Sequence, residues 1–588
     1  MRSSSLFALL CLFLSFAASA QQAPSAGKAA IESVLKDMEN FRRQEGKRDS
    51  AAQQPLGSNK EEDFLRRYQF YQTMEQKLNA IGKGKLSFDD EINLELLQHN
   101  VRNELSNYTF KAYLNPILSD EGFHTALARR SNAILSTNKD AESYLAILKD
   151  MPRYVGENLD LMRRGLALGI SQPKVILNGY ETTYTQHIVQ DPEASMFWKP
   201  FSKRPVGINE GDWTRYTTEA KTLIQKEVVT SFQKIKTFFD TEYLPKTRTT
   251  LGASHFPKGN DYYEDRVRHY TSTNLSSEEV YQIGLKEVAR IRKEMDAVIR
   301  QVAFTGSFKE FIEQLRNDPK FQPTSGEALL KEASFIAKKI DGKLPLLFGR
   351  LPRQPYTVEP VPAHLAPTYT TGRYSGAPIS SKRSGQYWVN TFNLPSRTLY
   401  TLEALTLHEA VPGHHLQTAL AQELPLPPFR RNIYINAFGE GWGLYSEYLG
   451  HEMGFYKDPY SLFGRLTYDM WRACRLVIDV AVHTKNWTRE QAVSYLADNT
   501  ALSIHEVNTE INRYISWPGQ ALAYKIGEIK IKEMREKATA ALGQSFDIRS
   551  FHDMVLSNGS VTLSILERMT ARYIEEELAK KKKEGKEF

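Results

Sequence analysis

The stretch SSEEVYQIGLKEVARIRKEMDAVIRQVA, Ser276 to Ala303, decides the fold class. Ser276 reads as a helix N-cap, with Glu279 three residues on as its capping-box partner. Val280, Ile283, Val288, Ile291, Met295 and Ile299 then recur near helical spacing and form an apolar stripe. The same period returns over 65–81, 141–166, 217–239 and 491–497, without a fixed-period repeat. The expectation is a mainly α chain whose helices each bury one face against their neighbours.

The chain has 588 residues, enough for roughly two to four domains or one large helical unit. Hydrophobic residues make up 41% and charged residues 25%, an ordinary globular balance that argues against long disorder. Part of the net charge of +7 sits in the terminal run AKKKKEGKEF, which reads as a solvated tail. No basic stripe is interleaved with aromatics, so nucleic acid is excluded as the expected partner.

The N-terminus reads as a cleaved export signal. It has one Arg, an apolar run from Leu6 to Ala18 and the small-x-small site Ala18-Ser19-Ala20. The run is short of the roughly 20 apolar residues that a membrane span needs. Cys11 follows Leu10 where a lipidation motif would have a small residue, so it reads as part of the signal. Cleavage after Ala20 leaves Cys474 alone and without an internal disulfide partner. The mature protein is expected in the bacterial periplasm, with no membrane span.

Between Leu344 and Asn393 the helical habit breaks into Pro, Thr, Tyr and Gly, ending in SGQYWVNTFN. Tyr387, Trp388, Val389 and Thr391 favour a strand. A small antiparallel sheet is expected there, followed by a helix from about Ser396. The resulting division is a signal over 1–20, a polar lead-in over 21–60, a helical N-terminal region over 61–343, a catalytic region over 344–580 and a charged tail over 581–588.

That last helix carries TLHEAVPGHHLQ, Thr406 to Gln417. It begins like a zinc-peptidase helix, but Pro412 stands where H-E-x-x-H would have its second His. The same dipeptide recurs at His451 and His505 with no useful second His. On a straight helix His414 is off the face of His408, and His415 is on the face but about 10 Å along the axis. Pro412 and Gly413 make a built-in bulge plausible. A two-residue bulge brings in His414 and a three-residue bulge brings in His415; the smaller distortion favours His414. Downstream, NAFGEGWGLYSEYLGHE places Glu440 and Glu447 on one helical face, with Gly439, Gly441 and Gly443 allowing close approach of another backbone. Glu440 is the expected third ligand, and Glu447 and His415 are expected to support the ligands from behind.

HEAVPGHHLQ, GEGWGLYSEYLG, QYWVNT and EVNTEINRYISWPGQALAYKIG together resemble the domain of unknown function 885 family, most densely over 386–527. The shared motif resembles H-E-x-x-P-G-H, met here by His408, Glu409, Pro412, Gly413 and His414. That family is similar in turn to the gluzincins, zinc peptidases with two His and one Glu, some of them almost wholly helical. The resemblance implies a large helical gluzincin-like scaffold with the sheet beside the active-site helix.

The expected chemistry is hydrolysis of amide bonds in short peptides. Zn2+ would be held by His408, His414 and Glu440, with Glu409 as general base. An oxyanion donor is expected from RYISWPGQALAYKIG, which offers Arg513, Tyr514 and Tyr524. Tyr524 is favoured because Gly519, Ala521 and Ala523 surround it, and the resemblance implies a late-helix Tyr in this role. Tyr387 and Asn390 are expected substrate contacts, with the Tyr387–Thr391 strand pairing to an extended peptide. Arg513 and Tyr514 are further substrate contacts, and His483 reads as a core histidine. The rival expectations are a catalytically weak peptide-binding protein of the same fold, and a zinc hydrolase of a non-peptide amide or ester.

Overall fold

Ser276 caps the helix Ser277–Gln301 (α1), accepting from the backbone N–H of Glu279 while the Glu279 carboxylate closes the capping box. This computed structural model describes residues 26–584 apart from 83, 85 and 364. The expected signal and the last four residues of the tail lie outside the described residues. Val280, Ile291, Met295 and Ile299 of the predicted stripe are buried. They face a second long helix, Pro459–Thr484, which runs beside α1.

Helices dominate the chain, as the periodicity implies. Asn138–Ala167, Glu210–Leu223, Thr230–Phe238 and Arg489–Asn499 fall on the predicted segments. Within the polar lead-in, Ala26–Ala51 is helical. Ile31, Val34 and Met38 share one face of it and pack on Met74, Leu78 and Leu97. Burying each such side chain contributes roughly 1.5–3 kcal/mol, enough for this sparse stripe to order a polar segment. The main core runs continuously from Ile92 to Tyr573, so residues on both sides of position 343 share it.

The Pro-rich region forms a three-stranded sheet: β1 (Tyr356–Pro360), β2 (Gly372–Ser375) and β3 (Gly385–Val389). The order is β1-β3-β2. β2 pairs antiparallel with β3, as expected, but β1 runs parallel to β3 with Tyr356 opposite Gly385. The sheet is therefore mixed. β3, with buried Gly385, Tyr387 and Val389 on one face, is the central strand, and both its edges are occupied.

After β3 the chain winds through two single 3-10 turns, and regular helix starts at Leu402 rather than near Ser396. The site is then built by α2 (Leu402–Glu409), α3 (His414–Glu423), α4 (Asn436–Leu449), α5 (Pro459–Thr484), α6 (Ile504–Ser516) and α7 (Ala523–Leu542). Residues 463–483 of α5 are all buried, so this helix is enclosed on every side. No helix among the described residues is long and apolar enough to cross a membrane.

Candidate metal centre

α2 stops at Glu409. Ala410 leaves helical geometry (φ −92°, ψ −107°), the Val411–Pro412 peptide is cis, and α3 starts at His414. The interruption is a full break between two helices rather than a bulge within one. Gly413 is required there because a Cβ would stand 1.8 Å from the carbonyl oxygen of His408. The Pro412 carbonyl accepts from Trp442 Nε1 at 2.8 Å, which ties the turn to α4. Folded back in this way, the chain brings the His414 ring edge-on to His408, with centroids 4.9 Å apart.

Glu440 enters from α4. Its Oε2 lies 3.4 Å from His414 Nε2 and 3.8 Å from His408 Nε2. One ligand atom from each of the three residues falls within 4.8 Å of the others. The His408 ring packs against Gly443, where a Cβ would come within 2.7 Å of it. Of the three glycines in GEGWG, Gly441 is the one that meets another backbone, at Gly527 of α7.

His408 Nδ1 lies 2.8 Å from Glu447 Oε1, so Nε2 is the nitrogen turned toward Glu440. Arg472 Nη2 lies 3.6 Å from the same Glu447 oxygen. Tyr434 donates to Glu440 Oε1 at 3.0 Å. Burial works against a charged His408, but hydrogen bonds to Glu440 and Glu447 outweigh it and push its pKa up to about 10. Burial likewise opposes the Glu440 carboxylate, yet the His414 charge and hydrogen bonds from both imidazoles hold its pKa well below the usual range. The His408 imidazole is therefore held between two carboxylates, Glu440 and Glu447. Two imidazole nitrogens and one carboxylate oxygen are a donor set that suits zinc.

Glu409 lies beside this cluster without joining it. Its Oε2 accepts from the backbone N–H of Tyr374 in β2 at 2.7 Å. It opens onto a cavity of about 480 Å³, together with His408, His414, Glu440, Arg513 and Tyr524. The Tyr524 ring lies nearly parallel to His408 with centroids 6.4 Å apart, and its hydroxyl accepts from Arg513 Nη2 at 3.1 Å. His415 points elsewhere: Nδ1 meets the Tyr374 hydroxyl at 3.1 Å and Nε2 meets the Gln354 carbonyl at 3.0 Å. Its support therefore goes to the sheet, through the residue whose N–H holds Glu409.

Three residues read from sequence as substrate contacts do not reach the cavity. Tyr387 is fully buried, with its hydroxyl 3.3 Å from that of Thr406. Asn390 is buried too; its amide donates to the carbonyls of Ala366, Tyr369 and Thr370 and organises that loop. Tyr514 is buried on α6, accepting from Trp471 Nε1 at 2.7 Å and Arg475 Nε at 2.9 Å. The reason is architectural. β3 is central, and the strand with an open edge at the cavity is β2, through Gly372, Arg373 and Tyr374. His483 is a core residue, bonded to Ala253 N and Tyr514 O.

Sequence reasoning missed Arg373, Tyr434, Arg472, Arg475, Glu506 and Glu510, which also line the cavity. A signal existed for α5: Arg465, Asp469, Arg472, Arg475 and Asp479 recur every three or four residues along an otherwise apolar helix. A buried helix carries such a stripe only where charges are paired or face a cavity. Tyr434 and Arg373 stand in irregular sequence and carry no such period. A larger cavity of about 650 Å³, lined by His99, Arg102, Arg266 and His269 among others, shares none of the metal-site residues.

The chain is similar to two solved structures of bacterial proteins. A "putative lipoprotein" from Colwellia psychrerythraea is 28% identical, with a TM-score of 0.81 over 87% of this chain and 92% of that one. A "putative lipoprotein of unknown function" from Shewanella oneidensis is 16% identical, with a TM-score of 0.67 over 93% of this chain and 100% of that one, and shares the fold. No curated protein matches the chain. The model of the family described as "Bacterial protein of unknown function (DUF885)" matches residues 21–569. With nearly the whole chain inside that match, this protein belongs to the DUF885 family.

Proposed function

We propose that the chain is an exported zinc-dependent hydrolase of amide bonds in short peptides. One observation carries the reading: donor atoms of His408, His414 and Glu440 converge within 4.8 Å. Glu409 stands beside them on a cavity wall, free of the ligand set. The size of that cavity falls in the range of small-ligand sites, about 300–1,000 Å³.

Zinc held there would act as a Lewis acid on the substrate carbonyl and bring the pKa of a water toward neutrality. The protein's own groups divide the remaining work. Glu447 accepts from His408 Nδ1–H and so fixes the tautomer that presents Nε2. Glu409, oriented by the Tyr374 N–H, takes the proton of the attacking water and returns it to the leaving nitrogen as the C–N bond breaks. The Tyr524 hydroxyl accepts from Arg513, which leaves its own proton free to donate to the carbonyl oxygen as charge develops. The open edge of β2 offers backbone groups to an extended peptide.

Metal analysis tests the reading. Protein purified without chelator is expected to carry about one zinc per chain, and chelation should abolish hydrolysis. A zinc content near zero, with hydrolysis indifferent to chelator, defeats the proposal.

Export is supported by the Ala18-Ser19-Ala20 site and by the names of the two similar bacterial structures. N-terminal sequencing of the native protein is expected to begin near Gln21. A retained Met1 rules export by this signal out, and a mature chain starting at a lipidated Cys11 replaces the soluble form with an anchored one.

A further inference from the structure

The cavity wall carries four arginines: Arg373, Arg472, Arg475 and Arg513. Their counter-charges are unevenly shared. Glu510 lies 2.7 Å from Arg475 and 3.3 Å from Arg513. Glu506 is engaged outside the group through Oε2, with Arg397 at 3.5 Å and a hydrogen bond from Thr371, while its Oε1 has no hydrogen-bond partner. Arg472 leans toward Glu447.

One guanidinium is left without a carboxylate. Arg373, on the open-edged strand β2, is exposed to the cavity and pairs with no carboxylate among the described residues. Its guanidinium rests over the Tyr369 ring at 5.4 Å. Arg475 is buried, and its Nη1 has no hydrogen-bond partner. That nitrogen has almost no exposed surface, so Arg475 adds positive charge behind the cavity wall rather than a contact.

These groups stand near the reacting end. Arg475 lies over the Tyr524 ring at 4.2 Å, and Arg513 holds the Tyr524 hydroxyl. Arg373 is within electrostatic reach of Arg513, Tyr524 and Glu409. Asp120 feels both Arg513 and Arg373 but forms an ion pair with neither. Arg373 thus faces the cavity without an ion-pair partner, beside an Arg513 whose carboxylate, Glu510, is shared with Arg475.

We infer that this cavity recognises a free carboxylate, taken by Arg373 with Arg513, and that the substrates are peptides cut close to their C-terminus. The inference rests on the peptidase reading for the reaction it serves. Guanidinium groups match a carboxylate by paired, charge-assisted hydrogen bonds. An acidic side chain offers the same chemistry, but a cavity of about 480 Å³ suits a chain end over a long internal segment.

The test uses the zinc-loaded protein and N-acetylated tripeptides that end in a free acid or an amide, with a second pair carrying an internal Glu or Gln. Hydrolysis is followed by mass spectrometry, and binding of the same peptides to the Glu409→Gln protein is measured by calorimetry. The free acid should be preferred by roughly 10- to 100-fold in kcat/KM, the range expected for a hydrogen bond to a charged group. Arg373→Gln should erase most of that preference, chiefly through KM, while zinc content stays equal to wild type. Arg373→Lys should recover part of it.

A preference for internal Glu with the amide tolerated keeps the carboxylate site and overturns its assignment to the chain end. Acid and amide cleaved alike, with Arg373→Gln indistinguishable from wild type, overturns the inference and leaves the peptidase reading standing. Acid bound and amide refused, with neither cleaved by wild type, keeps the carboxylate site and removes the peptidase reading. Neither bound nor cleaved removes both.

Discussion

Glu409→Gln is expected to keep its zinc and lose turnover by about 10²- to 10⁴-fold, the usual weight of a positioned general base. The substitution is close to silent in shape. The new amide keeps a carbonyl oxygen that can accept the Tyr374 N–H now held by Oε2 at 2.7 Å. It removes no ligand, since the converging donors come from His408, His414 and Glu440. What it removes is the basic lone pair beside the cavity. Zinc content and kcat measured on one preparation separate this from loss of metal: full zinc with near-zero kcat is the expected pair of results. Intact turnover means that Glu409 is not the base, and the proposed mechanism falls with it.

The second large effect distinguishes the adjacent histidines. His414→Ala should lose zinc and hydrolysis together, with a drop in metal affinity beyond the 10–100-fold typical of changes behind the ligands. Its Nε2 is 3.4 Å from Glu440 Oε2, and no other imidazole can replace it from the far side of the break. His415→Ala should keep the zinc. Both nitrogens of His415 are engaged by Tyr374 and Gln354, and its ring lies 4.7 Å from that of Tyr356. Losing these buried bonds should destabilise the fold by about 1–3 kcal/mol, read as a lower midpoint in denaturant. The reverse pattern, zinc lost from His415→Ala and kept by His414→Ala, sinks the ligand assignment.

Some of this protein is written in short spans of sequence. The cap at Ser276, the stripe along 277–301 and the break at Pro412-Gly413 each depend on groups within a few residues of one another. Backbone hydrogen bonding and ring geometry act over that distance, so such features can be read from the chain. Motif spacing restricts His408, Glu409 and His414 in the same local way, whereas Glu440 comes from a separate helix, α4.

Other features came only from the tertiary structure. The parallel pairing of β1 with β3 places Tyr387, Asn390 and their strand inside, and no local pattern says which strand of three is central. Glu447 reaches His408 across 39 positions, and Arg475 reaches Tyr514 across 39. The exposure of Arg373 to the cavity, without an ion-pair partner, follows from the place of β2 at the sheet edge. A side chain's type and its local turn are set by its neighbours in sequence. Its burial and its partners are set by which distant segments the shared core brings against it.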